Sequence, residues 1–149
     1  MKTICFYSPK AFPLLANLNL GGFGGSEVKQ VILAKALLDD GYDITFLTHD
    51  YGQPPIIVYN GIKIIKTFPI TLENKKGSFF RSILPVWKGL KMANSEIYIK
   101  RAAGGLTGII ALYCKLFNKS FIYAVASSYD VDGGYLKQVS SRDKISHKF

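Results

Sequence analysis

The chain has 149 residues, 48% hydrophobic and 19% charged, with a net charge of +9. That length makes one domain with room for a real core, and that composition excludes a disordered chain. The charge points to an anionic partner (nucleic acid, acidic lipid or a phosphorylated ligand) without choosing among them.

Thr3 to Ser8 opens the chain with an almost wholly apolar, β-prone run. It predicts a central strand buried on both faces, ended by Pro9. Pro9 to Leu20 reads as a long loop, and long loops in compact domains are usually functional or mobile. Gly21-Gly22-Phe23-Gly24-Gly25-Ser26-Glu27 follows. A helix is expected from Ser26, the N-cap, to Asp40, with Val28, Val31, Ile32 and Leu38 at helical spacing, widened by Leu33, Ala34 and Leu37. Gly41 stops it.

Asp43 to Thr48 is a second strand, with His49 and Asp50 just beyond it. Ile56–Tyr59 and Ile62–Thr67 flank Asn60-Gly61 and predict a tight β-hairpin. Phe79 to Asn94 predicts a helix that kinks at Pro85 or starts near it. Glu96 to Lys100 is a third strand of the parallel set. Gly104 to Phe117 is a helix, apolar on most faces and expected to be well buried. Ser120 to Ala126 is a fourth such strand, followed by a polar loop, Ser127 to Gly134, and a basic, mixed segment to Phe149. Strand–helix alternation predicts an α/β fold, a Rossmann-like open, mostly parallel sheet with helices on both faces and one hairpin insertion.

Cys5 and Cys114 fall in core patterns and read as small buried hydrophobes. Two such cysteines make no disulfide framework, which favours a reducing, cytoplasmic setting. The N-terminal apolar run is too brief for a secretory signal, and the run around Leu106 to Cys114 is too short to span a bilayer. Asn118-Lys119-Ser120 matches a glycosylation acceptor, a chance match without such a signal.

In an open parallel sheet, ligands bind outside the carboxyl ends of the strands. The glycine-rich stretch lies after the first strand and feeds a helix N-terminus, the arrangement that binds phosphate. It is neither common phosphate motif. G-x-G-x-x-G started at Gly22 ends on Glu27, its spacing from the strand is too long, and no Gly-Lys-Ser/Thr follows. The plain alternative is a glycine loop with no ligand. Arg101, directly after the third strand, could clamp a phosphate or carboxylate in bidentate fashion, or simply be an exposed arginine or a helix-cap partner.

Asp130-Val131-Asp132 invites a metal, but a polar turn is the better reading, and no EF-hand pattern continues from it. His49 has no partner at metal spacing and reads as a loop histidine. Asp50 could be a ribose-binding acid, but the glycine spacing argues against that. Lys75, Lys76, Arg81, Lys88 and Lys91 interleave with aromatics and could meet an anionic membrane surface. The alternative is a helix packed on the sheet with a solvated basic edge.

These residues, in this order, resemble the N-terminal half of glycosyltransferase family four, the retaining nucleotide-sugar enzymes of the GT-B fold. The resemblance rests on Gly24-Gly25-Ser26-Glu27 after a strand and long loop, then the helix of Leu33-Ala34-Lys35-Ala36-Leu37. Gly41-Tyr42-Asp43-Ile44-Thr45 stands where the family has Gly-His-x-Val-Thr. Asn60-Gly61-Ile62, the strand Glu96-Ile97-Tyr98 leading into Arg101, and the strand Phe121–Val125 running into the Ser127–Gly133 loop complete it. It spans nearly the whole chain.

The family implies two Rossmann-like domains around a cleft. The N-terminal one mainly binds the acceptor. The other holds most of the nucleotide-sugar and carries a Glu-x₇-Glu motif. Residues 1–149 then form the N-terminal, acceptor-side domain, with the C-terminal donor domain absent. Gly24, Gly25 and Ser26 would lie at the donor diphosphate, and Glu27, Arg101, Ser128 and Asp130 would face the acceptor side of the cleft. No metal or other cofactor is implied; the nucleotide-sugar is a co-substrate and a glycan or glycolipid the acceptor. Relatives often sit peripherally on membranes through basic N-terminal domains. Many have a histidine in the loop where this chain has Ser127-Ser128-Tyr129-Asp130, so no catalytic residue is assigned.

Clamping a leaving diphosphate takes donors from both sides of a cleft. The chain alone is therefore expected to turn over little, as a fragment, a truncated product or half of a split enzyme with a separate C-terminal half. Two rivals remain. One is a non-catalytic α/β domain that binds a phosphorylated ligand. The other is a basic nucleic-acid binder, disfavoured because the aromatics follow core patterns and form no stacking platform.

Overall fold

The computed structural model describes residues 2–19, 21–72, 75–102 and 104–125. The strands are β1 (Thr3–Tyr7), β2 (Asp43–Asp50), β3 (Ile56–Tyr59), β4 (Ile62–Pro69), β5 (Ile97–Arg101) and β6 (Ser120–Ala124). The helices are α1 (Phe12–Leu15), α2 (Gly25–Asp39), α3 (Ser78–Ala93) and α4 (Leu106–Leu116). One six-stranded sheet has the order β3-β4-β2-β1-β5-β6, parallel throughout except for β3 against β4. This is the expected α/β architecture. Asn60 and Gly61 both have positive φ, 49° and 82°, as the tight hairpin turn requires.

β1 is central, and its side chains alternate between two cores. Ile4 and Phe6 join Phe46 of β2, Ile64 of β4, Ile99 of β5, Phe12 of α1, and Val31 and Ala34 of α2. Cys5 and Tyr7 join Leu47, Ile65 and Tyr98, with Val86 and Leu90 of α3 and Ile110 and Tyr113 of α4. Thus α1 and α2 cover one face, and α3 and α4 the other. Register brings Phe6 beside Phe46, and their rings stack with centroids 5.0 Å apart. Gly89 lets α3 press onto the sheet, since a Cβ there would lie 3.3 Å from Leu47 and from Thr67.

The structure corrects several expected elements. The loop after Pro9 contains α1, because Phe12 and Leu15 are buried one turn apart and Pro13 fits a first turn. His49 and Asp50 belong to β2 and Arg101 to β5, as last residues and not as followers. Of the two alternatives for α3, a start near Pro85 is set aside, because the helix runs from Ser78 to Ala93 with Pro85 inside it. Helix α4 starts at Leu106 and is buried on one face only; Leu112, Leu116 and the following Phe117 are exposed. On α2 the buried positions are Gln30, Val31 and Ala34, and Ile32 stays 63% exposed. Both cysteines are buried and free, as expected.

The topology fixes where a ligand crevice lies. From β1 the chain moves through α2 to β2, then to β3 and β4, all on one side of β1. α3 then carries it to β5 on the other side. The switch point is the gap between the carboxyl ends of β1 and β5.

Candidate functional site

The chain leaves β1 at Ser8, whose N–H donates to the Leu47 carbonyl at 3.1 Å. Two residues later the His49 N–H donates to the Pro9 carbonyl at 2.7 Å, so the exit follows the end of β2. Ser8 lies on the same face as Ile4 and Phe6, the face covered by α2. Gln30, in the second turn of α2, reaches it. Its amide Nε2 donates to Ser8 Oγ at 3.3 Å and to the Ser26 carbonyl at 3.5 Å. Gln30 is only 5% exposed, so this polar tie lies inside the protein. It holds the start of α2 at the carboxyl end of β1.

The glycine stretch leads to that helix end, and residues 21–25 are exposed. Its glycines differ in kind. Gly21 and Gly22 have φ of +67° and +76°, where other residues are strained. Gly24 and Gly25 do not need that freedom. A Cβ on Gly25 would meet nothing, so their bareness only keeps the surface open to close approach.

Ser26 is not the N-cap, as expected from sequence; Gly24 is, one residue before the helix begins. The first helical bond runs from the Val28 N–H to the Gly24 carbonyl at 3.3 Å. The N–H groups of Gly25, Ser26 and Glu27 therefore have no intrahelical acceptor and lie at the positive end of the helix dipole. The Gly24 N–H is engaged, donating to Glu27 Oε2 at 2.8 Å. Of the three expected diphosphate donors, Gly24 is the one whose N–H already has an acceptor in the structure. Glu27 is placed at the helix tip, where its carboxylate sits as a resident anion.

Arg101 ends β5. Ile99, two residues earlier, packs in the core beneath α2, so Arg101 projects on the α2 side of the sheet. The β1–β5 pairing ends at Tyr7 and Lys100, so Ser8 and Arg101 each follow the last pair, on neighbouring chains at the same end of the sheet. The Arg101 Nε is buried and has no hydrogen-bond partner among the described residues. A buried N–H calls for an acceptor.

Lys100, not singled out in the sequence, points the other way and is 6% exposed, with Nζ donating to the Ala102 carbonyl at 2.6 Å. The alternation of the strand was the signal that would have placed it inward. Ala102 itself sits at φ +70°, a strained backbone for alanine, directly beyond the end of β5.

Other candidates resolve differently. Asp50 is tied to Lys66 at 3.3 Å and accepts from the Gly52 N–H at 2.8 Å, so it is engaged in its own turn. His49 is buried edge-on against Phe68, on the α3 side of the sheet. Ser128, Asp130 and Asp132 lie outside the described residues. Among the described residues no group of three or more His, Cys, Asp or Glu side chains could hold a metal ion. The basic residues Lys75, Lys76, Arg81, Lys88 and Lys91 are all exposed, along α3 and just before it.

No protein-family model matches this chain, and no curated protein sequence does. Solved structures do. Sucrose-phosphate synthase from Thermosynechococcus elongatus is similar with a TM-score of 0.61 and 16% identity, over 89% of this chain and 36% of that one. MurG from Acinetobacter baumannii is similar with a TM-score of 0.52 and 12% identity, over 84% of this chain and 35% of that one. Both are glycosyltransferases of GT-B architecture, and this chain spans about a third of their length. The six-stranded, mostly parallel sheet with helices on both faces matches half of a GT-B, Rossmann-like fold. Among the described residues, no helix is long and apolar enough to cross a membrane.

Proposed function

We propose that the chain is the acceptor-side half of a retaining, family-four-like glycosyltransferase that moves a sugar from a nucleotide-sugar to a glycan or glycolipid. One observation carries the reading: the bare start of α2 is tied by Gln30 to Ser8 at the switch point of a GT-B half. In this reading the N–H groups of Gly25 and Ser26 face the donor diphosphate. A leaving diphosphate gains charge as the glycosidic bond breaks, and fixed amide dipoles stabilise it without reorganising. Arg101 supplies a cation on the same side, with an N–H in need of an acceptor. The rest of the donor site comes from a second GT-B half. No metal or other cofactor enters the scheme.

The basic residues Lys75, Lys76, Arg81, Lys88 and Lys91 suit a cytoplasmic, peripheral place on an anionic membrane, where a lipid-linked acceptor would be met. Nucleic acid is the weaker partner, because the exposed aromatics of α3, Phe79 and Phe80, meet edge-on and make no row of stacked rings.

The test is complementation. The chain is co-expressed with a polypeptide carrying a donor-binding GT-B half and assayed for transfer from a panel of nucleotide-sugars. A rate above that of either part alone, lost in Arg101→Ala, supports the reading. No gain with any donor contradicts it.

A further inference from the structure

On the other side of β2 from the switch point, a groove of about 540 Å³ opens between the free edge of β4 and α3. It exists because β3 begins opposite Ile65, with one further bond from the Lys66 N–H to the Pro55 carbonyl, so the ladder on this edge does not extend to the last residues of β4. Its walls are Pro55, Thr67, Leu84, Pro85, Lys88 and Met92. The volume is that of a ligand site.

The lining is mostly apolar, with Lys88 exposed at the rim. Lys66 also borders it but is held by Asp50. α3 carries Arg81, Lys88 and Lys91 and no carboxylate. Two of its large apolar side chains, Phe80 and Leu84, are 76% and 77% exposed, one turn apart. Water-facing apolar side chains beside cations match an amphiphile with an apolar tail and an anionic head.

We infer that this groove seats one acyl chain of an anionic membrane lipid, with Lys88 at the headgroup. The chain lies along Leu84 and Met92 and leaves water there, and Phe80 enters the surrounding bilayer. The inference deepens the membrane-surface reading above and rests on it, not on glycosyl transfer. It differs from simple adsorption in requiring a saturable site for a single lipid molecule.

The probe is dihexanoyl phosphatidylglycerol, kept monomeric, titrated into the chain and followed by chemical shifts. Vesicles of phosphatidylglycerol and phosphatidylcholine are run in parallel. Saturable binding is expected, with shifts at Leu84 and Met92. Filling the groove with Met92→Trp, or charging it with Leu84→Asp, should weaken binding about tenfold or more while thermal melting stays cooperative. Both sites are exposed, so folding should survive. Lys75→Glu with Lys76→Glu should lower vesicle adsorption but leave monomer binding in place. Adsorption to vesicles without saturable monomer binding overturns the groove and leaves the surface reading standing. Equal binding by Met92→Trp, or shifts confined to the switch point, also overturns it. Nucleotide-sugar transfer by the complemented enzyme is read separately, so its failure is distinct from failure here.

Discussion

Gln30 donates its side-chain amide to the Ser8 hydroxyl at 3.3 Å, and both residues are buried. A helix and a strand that are 22 residues apart at these points are thereby locked together where a ligand would approach. The lock holds the start of the helix beside the end of β1, above the apolar packing of Val31 and Ala34.

Gln30→Leu should therefore hurt position more than fold. It removes the bonds to the Ser8 hydroxyl and the Ser26 carbonyl, at about 1 kcal/mol of stability for each neutral hydrogen bond. Urea denaturation should show that modest loss, and pyrophosphate binding should fall by more than stability accounts for. Gln30→Glu can still accept from the Ser8 hydroxyl and should recover part of the binding. Equal binding by wild type and Gln30→Leu would show that the lock does not aim the helix.

Glu27 holds its carboxylate at the Gly24 N–H, where a bound anion would feel its charge. Glu27→Gln keeps an acceptor for that N–H and removes the charge. A charge at a helix end is worth about 0.3–1 kcal/mol, so pyrophosphate affinity should rise about two- to fivefold. Isothermal titration at low salt reads this, and a weaker variant would mean that the carboxylate supports the site instead.

Ala102 takes a left-handed backbone at φ +70°. That conformation costs an L-residue about 1–2 kcal/mol, and glycine loses about 0.5–1 kcal/mol more entropy on folding. Ala102→Gly should thus stabilise the protein slightly, by about 0.5–1 kcal/mol. A lower melting temperature would show that the strain is absent in solution.

The two thiols should be inert in the native state. Burial raises Cys114 from 9.0 to about 11, only partly offset by Lys119. Burial, reinforced by Cys114 and opposed by Lys63, raises Cys5 well beyond the usual thiol range. Folded protein keeps these protons where unfolded protein releases them. Their contribution is full below about pH 9 and declines as pH rises from there towards 11 and beyond. A thiol reagent at pH 8 should therefore react only as fast as the chain opens, and urea midpoints should fall as pH rises above 9. Rapid native labelling would contradict the buried placement.

Much of this fold was legible because strands buried on both faces leave unbroken apolar runs. Thr3–Tyr7 and Asn60-Gly61 could hardly mean anything else. Helix faces were harder. Ile32 and Leu33 fit the apolar period of α2, yet the sheet contacts the stripe of Gln30, Val31 and Ala34, and a buried glutamine gives no hydrophobic signal. α1 was hidden by its single turn. The glycine stretch was visible as a bare loop before a helix, but not which amides stay open, because that depends on how Glu27 folds back. Lys100 was overlooked because a charge at a strand end reads as exposed, whereas here the chain turns at Ala102 and supplies a carbonyl for it.

The central claim is that the first turn of α2 binds a diphosphate. The most direct measurement is amide chemical-shift titration of the chain with pyrophosphate and with a nucleoside diphosphate. The account predicts saturable shifts led by the amides of Gly25 and Ser26, with the Arg101 Nε–H following. Saturation without movement of those amides, or shifts confined to the exposed lysines of α3, would contradict it.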